Sequence, residues 1–263
     1  MTSEENNDET VKFFEDNNYF GLEKITFFKQ GKLPMLTHEG KLILEAKDQI
    51  KEAADGNGGI FEALYKNKIL KDMKAKGIEW LSIGNVDNIL LKLVDEVLIG
   101  MAIDKKVKLA MKSVTKVGPE ERVGSLCKID GKPGVVEYTE ISNEMANLRD
   151  ENGNLVYGES YYGMCMLNLN LLEKIGTEKL PYHAANKKCN YINEEGIEII
   201  AEGPNAYKYE AFIFDAFKYT DKAVVLSVKR EEEFAPVKNK EGVDSPETAR
   251  KLYMNYHKKE AAV

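Results

Sequence analysis

The first segment able to do chemistry is Asp55-Gly56-Asn57-Gly58-Gly59, which runs directly into a helical stretch. Glycines let a backbone approach a planar base or a phosphate closely, and the N-terminus of the helix that follows favours anions. The same residues also serve as ordinary loop punctuation, and the glycines alone do not separate the two uses. Asp87 follows a mostly apolar strand, Trp80 to Val86, and ligands of open α/β sheets gather at the carboxyl ends of strands. A carboxylate there is the hard oxygen ligand that Mg2+ prefers when phosphates complete its shell, or equally a cap for the strand end or the next helix. Glu137 and Tyr138 close another strand. They can exchange hydrogen bonds with sugar hydroxyls, or lie on a solvated sheet edge. Lys208, at the start of an apolar helix, and Lys238, in the loop from Phe234 to Asn239, can each neutralise a phosphate as a point charge or sit solvated on the surface. His38, His183 and His257 have no serine or cysteine nucleophile at motif spacing, so neither a triad nor acyl transfer is expected.

The elements that must position these residues alternate between helix and strand, which favours an α/β layer fold over an all-helical one. Asp8 to Tyr19 reads as an amphipathic helix, Ile25 to Phe28 and Lys41 to Leu44 as short strands. After the glycine-rich loop, Phe61, Leu64, Tyr65, Ile69 and Met73 recur near helical spacing and Gly77 supplies a stop. Val107 to Val114 and Val123 to Ile129 read as strands. The turn Asp130-Gly131-Lys132-Pro133-Gly134 before Val135 to Tyr138 makes a hairpin plausible. Tyr207 to Tyr219 reads as a helix, Ala223 to Val228 as a strand and Pro246 to Ala261 as a terminal helix, with Ser245 as its N-cap.

Composition narrows the class. With 263 residues, 43% of them hydrophobic, the chain can bury a substantial core. Its 44 acidic residues outnumber 37 basic ones, for a net charge of -7, and no basic stripe is interleaved with aromatics. Nucleic acid and an anionic membrane surface are therefore not expected as partners. Cys127, Cys165 and Cys189 are odd in number and lack zinc-site spacing, which argues against a disulfide scaffold and for the cytoplasm. The acidic, polar N-terminus is not a signal peptide, and no apolar run approaches the ~20 residues needed to span a bilayer.

Taken in order, the segments resemble the eukaryotic-type UDP-sugar pyrophosphorylases, and most closely the UDP-N-acetylhexosamine pyrophosphorylases. The match runs through Phe27-Phe28-Lys29-Gln30-Gly31-Lys32-Leu33-Pro34, the Asp55 to Gly59 loop, Val86-Asp87-Asn88-Ile89-Leu90 and Val135 to Ser142. It continues through His183 to Lys188 and Lys208 to Asp215, and closes with Arg230 to Asn239 and Ser245 to Arg250. The resemblance implies a Rossmann-like nucleotide-diphospho-sugar transferase fold of GT-A type, a mixed sheet flanked by helices. It implies a single catalytic nucleotidyltransferase domain over residues 1–263. It further implies that Gln30 and Gly56 hold uracil, that Asn57, Glu137 and Tyr138 contact the hexose, that Asp87 binds Mg2+, and that Lys208 and Lys238 face phosphates. The implied reaction joins UTP and a hexose 1-phosphate into a UDP-sugar, UDP-N-acetylglucosamine first and UDP-glucose next, releasing pyrophosphate. An inactive remnant that binds UDP-sugar or a partner chain is the competing reading.

Two departures from the family pattern stand out. The family's upstream Leu-x-Gly-Gly-x-Gly-Thr-Arg-Leu-Gly loop and a later phosphate-binding lysine do not occur in this sequence, and Met1-Thr2-Ser3 resembles an interior family segment. The expectation is a chain that lacks the first strand and the glycine-rich loop, and that does not catalyse uridylyl transfer as it stands. Within Gly158 to Gly163, Glu159-Ser160 stands where the family usually carries a sugar-contacting Asn, which leaves the identity of the sugar open.

Overall fold

The ten-residue strand Glu159–Asn168 is the longest in the chain, and its two halves pair differently. In the computed structural model, which describes residues 1–193 and 195–260 with the side chains of 259 and 260 excepted, this strand lies inside a six-stranded mixed sheet. Its second half pairs antiparallel with Trp80–Gly84 on one side and with Leu109–Met111 on the other. Its first half pairs with Val114 and Thr115 and with Gly124 and Ser125. The change of register falls between Tyr161 and Cys165, where Gly163 takes φ +90 and any Cβ would run into the side chain of Asn85. A bulge at that glycine redirects the strand.

Val224–Ser227 joins the sheet parallel to Leu109–Thr115, and the expected hairpin forms between Gly124–Ile129 and Lys132–Val136. Leu109–Thr115 is buried along nearly its whole length, as strands covered on both faces are. Leu98 and Ala102 of the helix Glu96–Asp104 pack on this sheet with Ala110, Val114, Met164 and Phe234. Lys112 breaks the apolar run. It is fully buried, and its ammonium meets Asp95 and Glu233, each at 2.6 Å. Asp95 also caps the Glu96–Asp104 helix by accepting from Leu98 N–H at 3.0 Å.

The sheet belongs to the second of two compact units, Gly77–Leu171 with Phe217–Val263; the first is Met1–Lys76 with Leu172–Ala216. The first unit is built from short strands. His183–Lys187, Ala206–Glu210 and Leu36–Thr37 form one sheet, and Glu198–Ile199, Tyr191–Ile192, Leu44–Ala46 and Gln49–Ile50 another. Met35, Ile43, Cys189 and Ala206 make its small core.

Several elements differ from expectation. Tyr207 to Tyr219 is not a helix. Ala206–Glu210 pairs as a strand with His183–Lys187, and only Ile213–Tyr219 turns as a 3-10 helix. Lys208 therefore sits on a strand, because pairing with a distant segment overrides the local apolar periodicity. The run from Phe61 to Met73 divides into Ile60–Lys66 and Ile69–Ala75, with Lys68 in the left-handed region between them. Ile25 to Phe28 forms no strand; Phe28 C=O and Gln30 N–H instead bond Thr2 in an isolated bridge. The first helix ends at Asp16, and Asn18–Gly21 follows as a separate turn. The Pro246–Glu260 helix starts as read, with Thr248 N–H bonding Ser245 Oγ at 3.4 Å; its expected end at Ala261 lies outside the described residues. No helix among the described residues is long and apolar enough to cross a membrane.

Candidate active site

The eight candidate residues fall into both units, with Gln30, Gly56, Asn57 and Lys208 in the first and Asp87, Glu137, Tyr138 and Lys238 in the second. In the first unit, the Asp55 to Gly59 loop is clasped by the segment after the Ala206–Glu210 strand. Ala211 N–H bonds Asp55 C=O at 2.8 Å and Gly58 N–H returns to Ala211 C=O at 2.8 Å. Gly56 holds φ +89, and a Cβ there would strike the Ala211 backbone. At Gly59 and Gly31 a Cβ would strike the Asp55 carboxyl. These glycines are thus required by close packing and not by flexibility. Gln30 Nε2 donates to Asp55 Oδ1 at 3.2 Å and to Gly56 C=O at 3.4 Å, so Gln30 and Gly56 are brought together. Burial pushes the Asp55 carboxyl above its ordinary pKa, against the hydrogen bond from Gln30.

Asn57 uses its side-chain oxygen to accept from Ile213 N–H at 2.9 Å, which leaves its amide N–H groups for a ligand. The segment it holds is fixed from the other side by Asp215, which accepts from Phe212 N–H at 2.9 Å and meets His183 Nε2 at 3.1 Å. His183 lies 4.8 Å from the Phe212 ring, centroid to centroid. Lys208 bonds Glu210 at 2.8 Å two positions along the same strand, so in this structure its ammonium already has a carboxylate partner.

In the second unit, Asp87 stands just beyond the carboxyl end of Trp80–Gly84. Its C=O accepts from Val237 N–H at 2.8 Å, which brings it beside Lys238. Asn88 sews the two loops together. Its Nδ2 donates to Glu233 C=O at 2.7 Å, and its Oδ1 accepts from Ala235 N–H at 2.8 Å and Leu90 N–H at 3.3 Å. Under them lies the buried network of Lys112, Glu233, Asp95 and Tyr162, whose hydroxyl donates to Glu233 at 3.1 Å. Burial works to raise the Asp95 carboxyl, but the hydrogen bonds from Lys112 and Leu98 and the Lys112 charge leave it below the ordinary value. Among the described residues, the Asp87 carboxylate and the Lys238 ammonium have no hydrogen-bond or ion-pair partner.

Glu137 and Tyr138 follow the Lys132–Val136 strand, as expected. Glu137 leans on Gly124, where a Cβ would come within 3.3 Å of its carboxylate. Tyr138 is exposed. Glu159 is held by the hydroxyls of Ser113, Thr115 and Ser227. The contacts of Asn88 and the Lys112 network, which join these loops to the sheet, are ones the residue patterns did not reveal. The polar pair Asp87-Asn88 was the one visible signal, since an Asn after a strand reads as a turn residue until its partners are known.

The chain as a whole is similar to proteins of known family. The family model described as UTP–glucose-1-phosphate uridylyltransferase matches residues 1–247. Human UDP-N-acetylhexosamine pyrophosphorylase-like protein 1 is 42% identical over 264 residues, covering 98% of this chain and 52% of the relative. The UDP-N-acetylglucosamine pyrophosphorylase of Saccharomyces cerevisiae is 39% identical over 269 residues, covering 97% of this chain and 56% of the relative. The crystal structure of the uridine diphosphate N-acetylglucosamine pyrophosphorylase from Trypanosoma brucei in complex with an inhibitor superposes with TM-score 0.83 at 34% identity. It covers 96% of this chain and 52% of that one. The chain spans about half the length of the curated relatives it matches.

Proposed function

The chain belongs to the UTP–glucose-1-phosphate uridylyltransferase family, and from that premise we propose that it carries the uridylyl-transfer site joining UTP and a hexose 1-phosphate, with UDP-N-acetylglucosamine and pyrophosphate as products. The observation that carries this reading is the pair formed by Asp87 and Lys238. Asp87, whose carboxylate has no partner among the described residues, lies at the carboxyl end of a sheet strand, and its backbone C=O accepts from the N–H of Val237, the residue before Lys238. Asp87 is half-buried and Lys238 exposed, so both charges are open to a ligand, and Asn88 fastens together the loops that carry them.

The chemistry needs no general base. The phosphate oxygen of the sugar 1-phosphate is already an anion, so it attacks the α-phosphorus of UTP in line, and the bond to the β-phosphate oxygen breaks to release pyrophosphate. The protein's work is alignment and charge neutralisation. Lys238 supplies one positive charge to the phosphates. Lys208 supplies a second by exchanging or sharing its Glu210 partner. The roles proposed within the first unit are the uracil edge for Gln30 and Gly56 and a hexose hydroxyl for Asn57; within the second unit they are hexose hydroxyls for Glu137 and Tyr138.

Mg2+ fits the donor set. Asp87 offers one hard oxygen ligand without a competing partner among the described residues. A single carboxylate suits an ion whose remaining ligands would be phosphates and water. When bound, the ion neutralises charge on the triphosphate. The unpaired Cys127, Cys165 and Cys189 support a reducing compartment, the cytoplasm, as its location.

The test is run on this chain joined to the upstream glycine-rich segment of the family pattern: pyrophosphate release from UTP, Mg2+ and a panel of hexose 1-phosphates, read together with calorimetric binding of UTP at varied Mg2+. Asp87→Asn keeps the shape and removes the charge. It is expected to keep the fold, to lower turnover about a hundredfold, as for the loss of one transition-state contact of ~3 kcal/mol, and to weaken the Mg2+ dependence of UTP binding. Near-normal turnover of this variant at limiting Mg2+, or UTP binding by the parent chain that ignores Mg2+, would overturn the assignment.

A further inference from the structure

Lys116 has no part in the site described above. It stands one residue beyond the Leu109–Thr115 strand at 8% exposure, and Ser125 Oγ at 2.6 Å is the one described partner of its ammonium. Lys112, four residues earlier, shows how this fold accommodates a buried ammonium that only fills space, with two carboxylates at 2.6 Å. Lys116 has no carboxylate at that range among the described residues. A buried ion without such a partner costs several kcal/mol, and an ammonium has three donors to satisfy. The remaining donors of Lys116 need an acceptor that the protein does not supply.

The residue borders a cavity of about 500 Å³, within the range of small-molecule sites. Thr115, Arg149, Asn154, Gly158 and Glu159 form other parts of its wall. Glu159 is fixed there as an acceptor by three hydroxyls, from Ser113, Thr115 and Ser227. Arg149 is turned to Gly153 C=O at 2.7 Å. A phosphate dianion in this space would be repelled by Glu159, and an apolar ligand would leave the charged groups unpaired. A neutral ring carrying several hydroxyls satisfies both signs at once, because each hydroxyl can accept from an ammonium and donate to a carboxylate. Burial also pushes the Lys116 ammonium below its ordinary pKa, with the charges of Glu121 and Glu137 opposing.

We propose that Lys116 is an additional substrate-binding residue, donating from the cavity wall to hydroxyl oxygens of the hexose ring. Naming the ring as the hexose of a sugar 1-phosphate rests on the uridylyl-transfer reading. The contact itself does not.

The two are separated by following the side-chain amine of Lys116 in the 263-residue chain by 15N nuclear magnetic resonance, assigned with Lys116→Met. Hexose 1-phosphates, free hexoses and inorganic phosphate are titrated in turn. The expected result is a shift with both sugar ligands and none with inorganic phosphate. Lys116→Met is expected to lose about tenfold in hexose 1-phosphate affinity and to hold UTP affinity within about twofold. Its Tm is expected to be unchanged or raised, since Met fills the same space without a charge to bury. A shift with inorganic phosphate as large as with sugars overturns the proposal, as does no shift with any of the three. A fall in Tm with equal loss of both affinities makes Lys116 a structural strut and overturns it as well. A Lys116 that answers hexose in a chain unable to bind UTP upholds this contact and ends the uridylyl-transfer reading.

Discussion

Asn88→Ala tests whether the loops bearing Asp87 and Lys238 are held in register by one buried amide. Asn88 is 6% exposed and makes three hydrogen bonds, of 2.7 Å to Glu233 C=O, 2.8 Å from Ala235 N–H and 3.3 Å from Leu90 N–H. Ala235 is fully buried and Glu233 nearly so, so water cannot readily replace the lost partner. Leaving two buried donors, Ala235 N–H and the weakly bonded Leu90 N–H, and one buried acceptor, Glu233 C=O, unmade costs about 1–3 kcal/mol for each strong bond, or roughly 3 kcal/mol in all after partial relaxation. At ~2–4 °C per kcal/mol for a chain of this size, Tm falls by about 6–12 °C. Two backbone bonds between the loops remain, Ile89 N–H to Ala235 C=O at 3.3 Å and Val237 N–H to Asp87 C=O at 2.8 Å, so the fold survives with a loosened seam. Calorimetry gives Tm, and hydrogen exchange at the Ala235 amide gives local protection. Asn88→Asp keeps the acceptor for Ala235 N–H but cannot donate to Glu233 C=O, so it should protect that amide while still losing stability. A Tm within about 2 °C of the parent, with Ala235 still protected in Asn88→Ala, would refute the reasoning.

In the chain extended by the upstream glycine-rich segment, Lys238→Ala is expected to slow uridylyl transfer at least tenfold, whereas Lys74→Ala, which removes an exposed pair with Glu173 at 2.7 Å, should change it by less than about twofold; equal effects in the pyrophosphate assay would show that Lys238 is a solvated lysine. Stability should also depend on acid through Asp95. Its folded-state pKa lies below the unfolded value of about 3.9, so its contribution is intact above that pH and is lost as pH falls through the lower folded value. Chemical denaturation between pH 5 and pH 2.5 should therefore show a steeper loss for the parent than for Asp95→Asn, and parallel curves would remove Asp95 from the Lys112 network.

The local settings of several candidate residues could be read from residue types in order. Asp55 to Gly59 before a helix, Asp87 after an apolar strand, and Glu137 after a hairpin strand occupy in the structure the kinds of position their neighbours implied. Local signals sufficed there because turn glycines, strand ends and hairpins are decided by residues within a few positions of each other. Lys208 shows where that stops. Its surroundings carry an apolar periodicity compatible with a helix, and pairing with His183–Lys187, some twenty residues away, makes it a strand.

Sequence alone determined the class of the molecule: an acidic α/β chain with a particular ordered series of motifs. Those properties belong to composition and to chain order, neither of which depends on how distant segments meet. Tertiary structure decided which charges are spent on folding and which are left over. Lys112 and Lys116 lie four residues apart at the same end of one sequence segment, and no pattern distinguishes them. Asp95 and Glu233 arrive at Lys112 from positions 17 residues before and 121 residues after it, while no carboxylate reaches Lys116 at that range among the described residues. The same holds for Asp87, whose carboxylate is free while Asn88 beside it is committed to Glu233 and Ala235. Whether an ionisable group is satisfied is a property of contacts far apart in the chain, and only the packed structure sets them.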